Sequence, residues 1–392
     1  MIDFNNEQLD ALYDIENWWH SKNDQVFEIS GAAGTGKTTL IKYFIERIGL
    51  EMSDVAFVAF MGKAAMQMAR SGLPAQTIHS LIYDYEKVVD TDENGNILVY
   101  PSGKPKTKFQ FTLKKKLFKK LKLLVLDEAG MVNKQIAQDL LSFGIPIIVL
   151  GDLNQLPPVI GEPFFLKEPN VILTKIMRQA EDNPIIYLSQ RVLNDEPLQY
   201  GSYGQSNIIR KSDMNDFLLK EADIVLTGTN NLRNEINTIF RENIYNIKKL
   251  DIPQIGEKII CRKNNWNRCI NDTIYMTNGM SGLISYIDME SFNGKSIKLD
   301  FQPDFLNKKF KNVVVDYKRL FSTPGKDYDN DPYSFTRDQF EFAYAITVHL
   351  SQGSQYKNVV FLNERMRFSK DDYKRLQYTA ITRAMDKITI VI

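Results

Sequence analysis

Eight residues, Gly31-Ala32-Ala33-Gly34-Thr35-Gly36-Lys37-Thr38, fit the pattern G-x-x-x-x-G-K-[ST] at every constrained position. Glycines let backbone N–H groups turn inward around phosphate oxygens, and a helix beginning at the end of the loop adds partial positive charge. In such a loop Lys37 reaches the β and γ phosphates of a nucleotide and Thr38 sets its hydroxyl on Mg²⁺. From average composition, a chance match in a chain of 392 residues is about a one in a hundred event. The chemistry next needs carboxylates. Asp127 would hold the metal through water, while Glu128 would orient and deprotonate the attacking water. A third polar group lies in Gly151-Asp152-Leu153-Asn154-Gln155-Leu156-Pro157-Pro158-Val159. The plain reading is a turn, since Gly, Asp, Asn and Pro favour turns. The functional reading gives Gln155 a hydrogen bond to a γ-phosphate, and prolines 157 and 158 pass on its loss as movement.

These groups need elements to position them. Residues 26–30 read as a short strand and residues 38–48 as a helix closed by Gly49, so strand, glycine loop and helix come in the required order. Residues 121–126 form an apolar run leading into Asp127-Glu128, and residues 145–150 a second leading into Gly151. Both runs predict buried parallel strands whose carboxyl ends share one edge, where ligands of open α/β folds bind. An Asp-Glu pair alone is weak, because many are surface charge. After a hydrophobic strand downstream of a phosphate loop, function is favoured.

A chain of 392 residues exceeds the size at which single cores stop growing, so two or more domains are expected. Hydrophobic content of 43% and charge of 25% are ordinary for a globular protein. No apolar run reaches the length of a membrane span, and the acidic start MIDFNNEQLD lacks the order of a signal peptide. The expected location is cytoplasmic, or the host cytoplasm for a chain of phage origin. Cys261 and Cys269 are the only cysteines and His20, His79 and His349 the only histidines, which excludes a zinc cluster of familiar spacing. Lys plus Arg (49) nearly cancels Asp plus Glu (48), so bulk charge gives no sign of nucleic acid. The basic stretch at residues 104–122 is the local exception, and its second half reads as a helix whose lysines form a solvated face.

Further motifs follow in order: DEAG at 127–130, LTKIMRQ at 173–179, LTGTN at 226–230, FAYAITVHLSQG at 342–353 and YTAITRA at 378–384. With residues 31–39 and 151–159, this series resembles the superfamily 1B DNA helicases of the RecD and Dda type, from Gln8 to nearly the last residue. The resemblance implies an α/β fold of two RecA-like domains with ATP in the cleft between them, 5′-to-3′ movement on single-stranded DNA, and Mg²⁺ as cofactor. It implies a nucleotide set of Gln8, Gly31, Ala32, Ala33, Gly34, Thr35, Gly36, Lys37, Thr38 and Thr39, with Gln8 on the adenine. It also implies two arginines, Arg178 and Arg383, supplied from the second domain. Planar guanidinium groups reaching across a cleft neutralise charge on a transferring phosphoryl group. For the DNA track it implies Phe60, Gly62, Lys63, Thr77, His79, Thr227, Asn230, Thr347, His349 and Ser351. Small polar groups position a strand through its phosphates without reading sequence. Two departures are present: Phe60-Met61 stand where relatives commonly have Pro-Thr, and Leu350 where a basic residue is frequent.

Residues 93–96 (ENGN) signal a turn between short β-rich runs, and the resemblance makes the segment 84–112 a β-hairpin pin that splits duplex. Tyr100, Phe109 and Phe111 are its candidate stacking residues. Residues 259–261, 282–287, 296–301 and 313–315 read as short strands between Asn, Gly and Asp turns, the pattern of a small all-β barrel. By resemblance this is an SH3-like module, with a loop at 323–332. The expected division is 1–83 with 113–150 as the first motor, 84–112 as the pin, 151–255 with 338–392 as the second motor, and 256–337 as the SH3-like module. The expected partners are single-stranded DNA, single-strand/duplex junctions and single-strand-binding or replication proteins, with the chain acting as a monomer. Two other classes compete. A phosphate-loop ATPase or kinase acting on a small molecule or protein leaves Arg178, Arg383 and the two Thr-x-His segments without work, and a non-catalytic subunit leaves Lys37, Thr38, Asp127, Glu128 and Gln155 intact for no reason.

Overall fold

The computed structural model describes residues 4–70, 72–92, 94–99, 103, 105, 107–117, 120–157, 162–176, 183–248, 251–270, 274–304, 306–321, 337–365 and 368–392. Apolar runs of five or six residues bounded by turns become parallel strands buried on both faces. Val55–Ala59 and Ile147–Gly151 are buried at every position. The first sheet runs in the order Ala75–Thr77, Val55–Ala59, Leu123–Asp127, Ile147–Gly151, Val26–Gly31, Val171–Leu173, all parallel. Ser30 pairs with Gly151 and Leu126 with Val149, so the phosphate loop, Asp127 and the 151–157 loop leave the sheet side by side at one edge.

The second sheet follows the same plan, in the order Ala345–Thr347, Ile224–Thr227, Tyr356–Leu362, Ala384–Val391, Ser206–Ile209, Gly201–Tyr203, with only the last pair antiparallel. Each sheet carries a three-residue strand followed at once by a short helix, Ile78–Ile82 in the first and Val348–Ser351 in the second. Thr77 and Thr347 cap these helices, accepting from the Ser80 and Leu350 amides at 3.2 and 3.4 Å. The two Thr-x-His segments therefore occupy equivalent places.

Two smaller β units project from this frame. Tyr83–Val89 pairs antiparallel with Thr107–Leu113, and Asp92 builds the turn beyond them by accepting from the Asn94 and Asn96 amides. A five-stranded antiparallel sheet has the order Phe310–Asp316, Ser296–Pro303, Ser281–Asp288, Lys258–Cys261, Phe340–Phe342, and a second hairpin, Asn265–Ile270 with Ile274–Met276, accompanies it.

Three expectations change. Val171–Leu173 pairs with Ile29–Gly31, so the first sheet reaches past residue 150. Phe340–Phe342 pairs with Lys258–Cys261 and belongs to the β-module rather than the second motor. The helix read into the second half of 104–122 is absent from its described residues. Thr107–Leu113 is a strand, and Lys114 ends it by donating to the Ser80 and Leu81 carbonyls, both at 3.0 Å. The ladder with Tyr83–Val89 is the hairpin expected over 84–112, and Lys114, Lys115 and Lys116 after it do not continue as a helical face. Tyr100, Pro158, Val159, Arg178 and the loop at 323–332 lie outside the described residues. Among the described residues no helix is long and apolar enough to cross a membrane.

Candidate active site

The phosphate loop is shaped by what only glycine permits. A Cβ on Gly31 would lie 2.7 Å from Thr35 Oγ1, and Gly34 and Gly36 have φ of 83° and 79°. Gly36 then starts the helix Lys37–Arg47, which leaves its first amides facing the loop. Lys37 Nζ donates to the carbonyls of Gly31 (2.5 Å) and Ala32 (3.2 Å), so its ammonium lies over the strand-side end of the loop. Thr35 is fully buried and its hydroxyl donates to the Ala32 carbonyl at 2.9 Å. Ala32 is buried and Ala33 half-buried, while Thr38 and Thr39 are exposed at the helix start. Gln8 backs the loop, as the third residue of the helix Asn6–Ser21: its Oε1 accepts from the Asn5 amide and its Nε2 donates to the Thr35 carbonyl at 3.0 Å. It is 1% exposed, so burial fixes it against the loop.

Asp127 and Glu128 stand at the end of their strand as predicted, opposite Lys37. Glu128 holds a left-handed backbone (φ 52°), a strained conformation for this residue, and its amide donates to Asp127 Oδ1 at 2.8 Å. Both side chains keep partial surface exposure, yet crowding in the cleft desolvates them and raises both carboxyls above their ordinary range. For Glu128 the charges of Arg383 and Lys37 oppose that shift, and Asp127 and Asp152 add to it. The donor set fits Mg²⁺. The exposed Thr38 hydroxyl and the Asp127 carboxylate are hard oxygen donors of the kind that ion takes, alongside water and phosphate oxygens.

The second half of the chain closes the cleft. Arg383 is 3% exposed and is held by the carbonyls of Thr379 (3.2 Å) and Ser354 (3.3 Å), with its charge acting on Glu128. The loop after Ile147–Gly151 is gripped from that side: the Leu156 amide donates to Thr379 Oγ1 at 2.9 Å and the Leu156 carbonyl accepts from Gln352 Nε2 at 2.7 Å. The Leu156 and Ala32 side chains are buried in the hydrophobic core of the second sheet. Gln155 is half-buried beside them, its amide donating to the Asp152 carbonyl at 3.2 Å. Sequence reasoning gave no role to Tyr378. Its hydroxyl accepts from the Ala33 amide (3.0 Å) and donates to Asp152 Oδ2 (2.5 Å). Its only signal was its place in the 378–384 motif.

The predicted track residues divide. Phe60 stands beside His79, whose ring also packs against Tyr83 and Phe111 at the base of the hairpin. His79 and His349 are both pushed toward the neutral form by burial. Gly62 begins the helix Gly62–Arg70, and a Cβ there would lie 3.3 Å from Thr277 Oγ1 of the β-module. Lys63 Nζ is buried without a hydrogen-bond partner, and desolvation lowers its pKa to about 8. Asn230 is exposed at the start of its helix. Two expectations fail: Thr227 and Ser351 are both 0% exposed, and their hydroxyls are spent on the Thr229 and Val348 carbonyls at 3.1 and 2.7 Å. A hydroxyl satisfied inside the fold offers nothing to a strand outside it.

Comparison with known proteins agrees with this geometry. A family model described as an AAA domain matches residues 3–213, and one described as a UvrD-like helicase C-terminal domain matches residues 342–391. The ATP-dependent RecD2 DNA helicase of Deinococcus radiodurans is 24% identical over 92% of this chain and 46% of its own length. The ATP-dependent DNA helicase dda of Enterobacteria phage T4 is 27% identical over 60% of this chain and 56% of its own. The chain thus spans about half the length of these two relatives. A solved structure of a Bacteroides Pif1 helicase with ADP-AlF3 and single-stranded DNA shares the fold, with a TM-score of 0.51, 17% identity, and coverage of 99% of this chain and 92% of that one. The chain belongs to the AAA domain family, ends in a segment that matches a UvrD-like helicase C-terminal domain, and is similar to the RecD2 and dda DNA helicases.

Proposed function

We propose that this chain is an ATP-driven motor that moves 5′ to 3′ on single-stranded DNA and separates duplex at a junction. The observation that carries the reading is the two-sided cleft, in which Arg383 of one motor acts on Glu128 of the other across the phosphate loop. A small-molecule kinase or ATPase would leave the two Thr-x-His segments at equivalent places in the two sheets without work. The relatives named as ATP-dependent DNA helicases support it.

In this reading Lys37 leaves the Gly31 and Ala32 carbonyls for the outer phosphates. Thr38 and Asp127 would hold Mg²⁺, which would supply charge neutralisation for phosphoryl transfer. Glu128 takes a proton from the attacking water, and its raised pKa makes it a stronger base than a solvated glutamate. Arg383 stabilises the transferring group, with Arg178 as the proposed second arginine. Gln155 reports the state of the site through a loop that Thr379 and Gln352 already grip, so each turnover moves one motor against the other. Thr77 and Thr347, capping equivalent short helices, hold successive phosphates together with Lys63, Asn230 and the neutral His79 and His349. The hairpin Tyr83–Val89 with Thr107–Leu113 acts as the pin, and the five-stranded sheet is an SH3-like module beside the track. The working form is a monomer in the cytoplasm.

The test is the steady-state rate of ATP hydrolysis with no nucleic acid, with single-stranded DNA and with matched RNA. Strong stimulation by DNA is expected, followed by unwinding of 5′-tailed but not 3′-tailed duplex. Equal stimulation by RNA would reassign the track, and no stimulation by either would return the protein to the small-molecule class.

A further inference from the structure

A phosphate loop turns its amides inward for phosphate oxygens, yet here one of them already has a partner from the other half of the chain. Tyr378 is 0% exposed on the helix Lys370–Ile381, and its hydroxyl accepts from the Ala33 amide at 3.0 Å. The same hydroxyl donates to Asp152 Oδ2 at 2.5 Å, and Asp152 Oδ1 accepts from the Asn154 amide at 3.0 Å. A phenolic hydroxyl has one hydrogen to give, and it is committed to a carboxylate in the loop that carries Gln155. The Ala33 contact thus joins three segments: the phosphate loop, the 151–157 loop and the helix that leads to Arg383.

The end of the loop that this contact occupies can be identified. Lys37, the side chain that serves the outer phosphates, lies on the carbonyls of Gly31 and Ala32, the two residues before Ala33. Asp127 and Glu128 act electrostatically on the same lysine. The Ala33 amide is therefore at the terminal-phosphate end. ADP leaves that end empty, whereas ATP fills it.

We propose that Tyr378 is a positioning residue that competes with the terminal phosphate for the Ala33 amide, so that ATP, and not ADP, displaces its hydroxyl. Displacement frees the second motor from the phosphate loop while Thr379, its neighbour, keeps hold of the Leu156 amide. The end of the helix that presents Arg383 then shifts with the phosphate state. This inference rests on the nucleotide reading above and adds to it which residue distinguishes triphosphate from diphosphate.

The experiment is Tyr378→Phe, which keeps the ring in its packing and removes only the hydroxyl. Dissociation constants for a non-hydrolysable ATP analogue and for ADP are measured without DNA. Removing one competing hydrogen bond is expected to tighten the analogue by about five- to tenfold and leave ADP within about twofold. A purely structural tyrosine would move both constants by the same factor or neither, and either result overturns the proposal. Hydrogen exchange of the unmodified chain over residues 370–383 is the second reading and needs no variant. The analogue is expected to change exchange there and ADP to leave it as in the free protein; identical responses overturn the proposal. A wild-type chain that binds neither nucleotide overturns the nucleotide reading itself, and this one with it.

Discussion

Replacing Glu128 by Gln exchanges one oxygen for an NH₂ group, and the geometry of the cleft predicts opposite effects on turnover and on stability. As the general base, Glu128 should contribute about 10² to 10⁴ in rate, or roughly 3 to 5 kcal/mol of barrier. Stability runs the other way. Desolvation raises the carboxyl in the folded chain, aided by Asp127 and Asp152 and opposed by Arg383 and Lys37. A raised folded pKa gives a contribution that is present below the unfolded value and lost as pH rises through the folded one. At neutral pH the native cleft therefore carries a destabilising charge, and the neutral amide relieves it. Glu128→Gln is expected to melt at a higher temperature than wild type at pH 7.5, with the difference vanishing near pH 4, where both side chains are neutral. DNA-stimulated phosphate release and thermal melts without nucleotide at the two pH values measure both effects. Turnover within tenfold of wild type would refute Glu128 as the base, and a lower melting temperature at pH 7.5 would refute the desolvation argument.

Lys63→Met should raise thermal stability at neutral pH, because burial disfavours the charged amine and its pKa of about 8 lies below the ordinary lysine value. The same change should weaken single-stranded DNA binding by about tenfold, read by fluorescence anisotropy, since a buried ammonium with no partner suits an incoming phosphate; an unchanged affinity removes Lys63 from the track. Phe111→Ala deletes a ring packed 6.1, 6.2 and 6.3 Å from His79, Tyr83 and Tyr85. Unwinding of a forked duplex should fall severalfold while DNA-stimulated hydrolysis stays within about twofold, and equal losses in both would deny the hairpin a separate role. Lys37→Ala should abolish hydrolysis and unwinding while DNA binding stays measurable, and full unwinding by this variant would sink the proposed cycle.

Much of the nucleotide site was legible because its determinants are local. A glycine loop between strand and helix, and an acidic pair after a buried run, are written in contiguous residues. A helix was read into the second half of residues 104–122 because the lysines there dominate the composition. The period-two pattern of Phe109, Phe111 and Leu113 was the better signal. Phe340–Phe342 and Val171–Leu173 are too short to announce which sheet they join. Thr227 and Ser351 stand in motifs that suit DNA contact, but exposure is decided by packing, which no motif spells out. Tyr378 was silent for a stronger reason. Its partner at Ala33 is 345 residues away, and their meeting depends on how the two halves of the chain pack.

The order of strands in the second sheet has a consequence for how the protein is made. Ala384–Val391 lies between Tyr356–Leu362 and Ser206–Ile209, so the middle of that sheet stays open until residues as late as Val391 have left the ribosome. The first sheet, by contrast, has all its strands once Leu173 has emerged. The phosphate loop is thus formed while Ala32 and Leu156, whose side chains belong to the later core, have nothing to cover them. During synthesis the nascent first sheet presents this apolar spot to solvent, and chaperone occupancy there, or slow translation before Ala384–Val391, would decide how much of the chain reaches its native form.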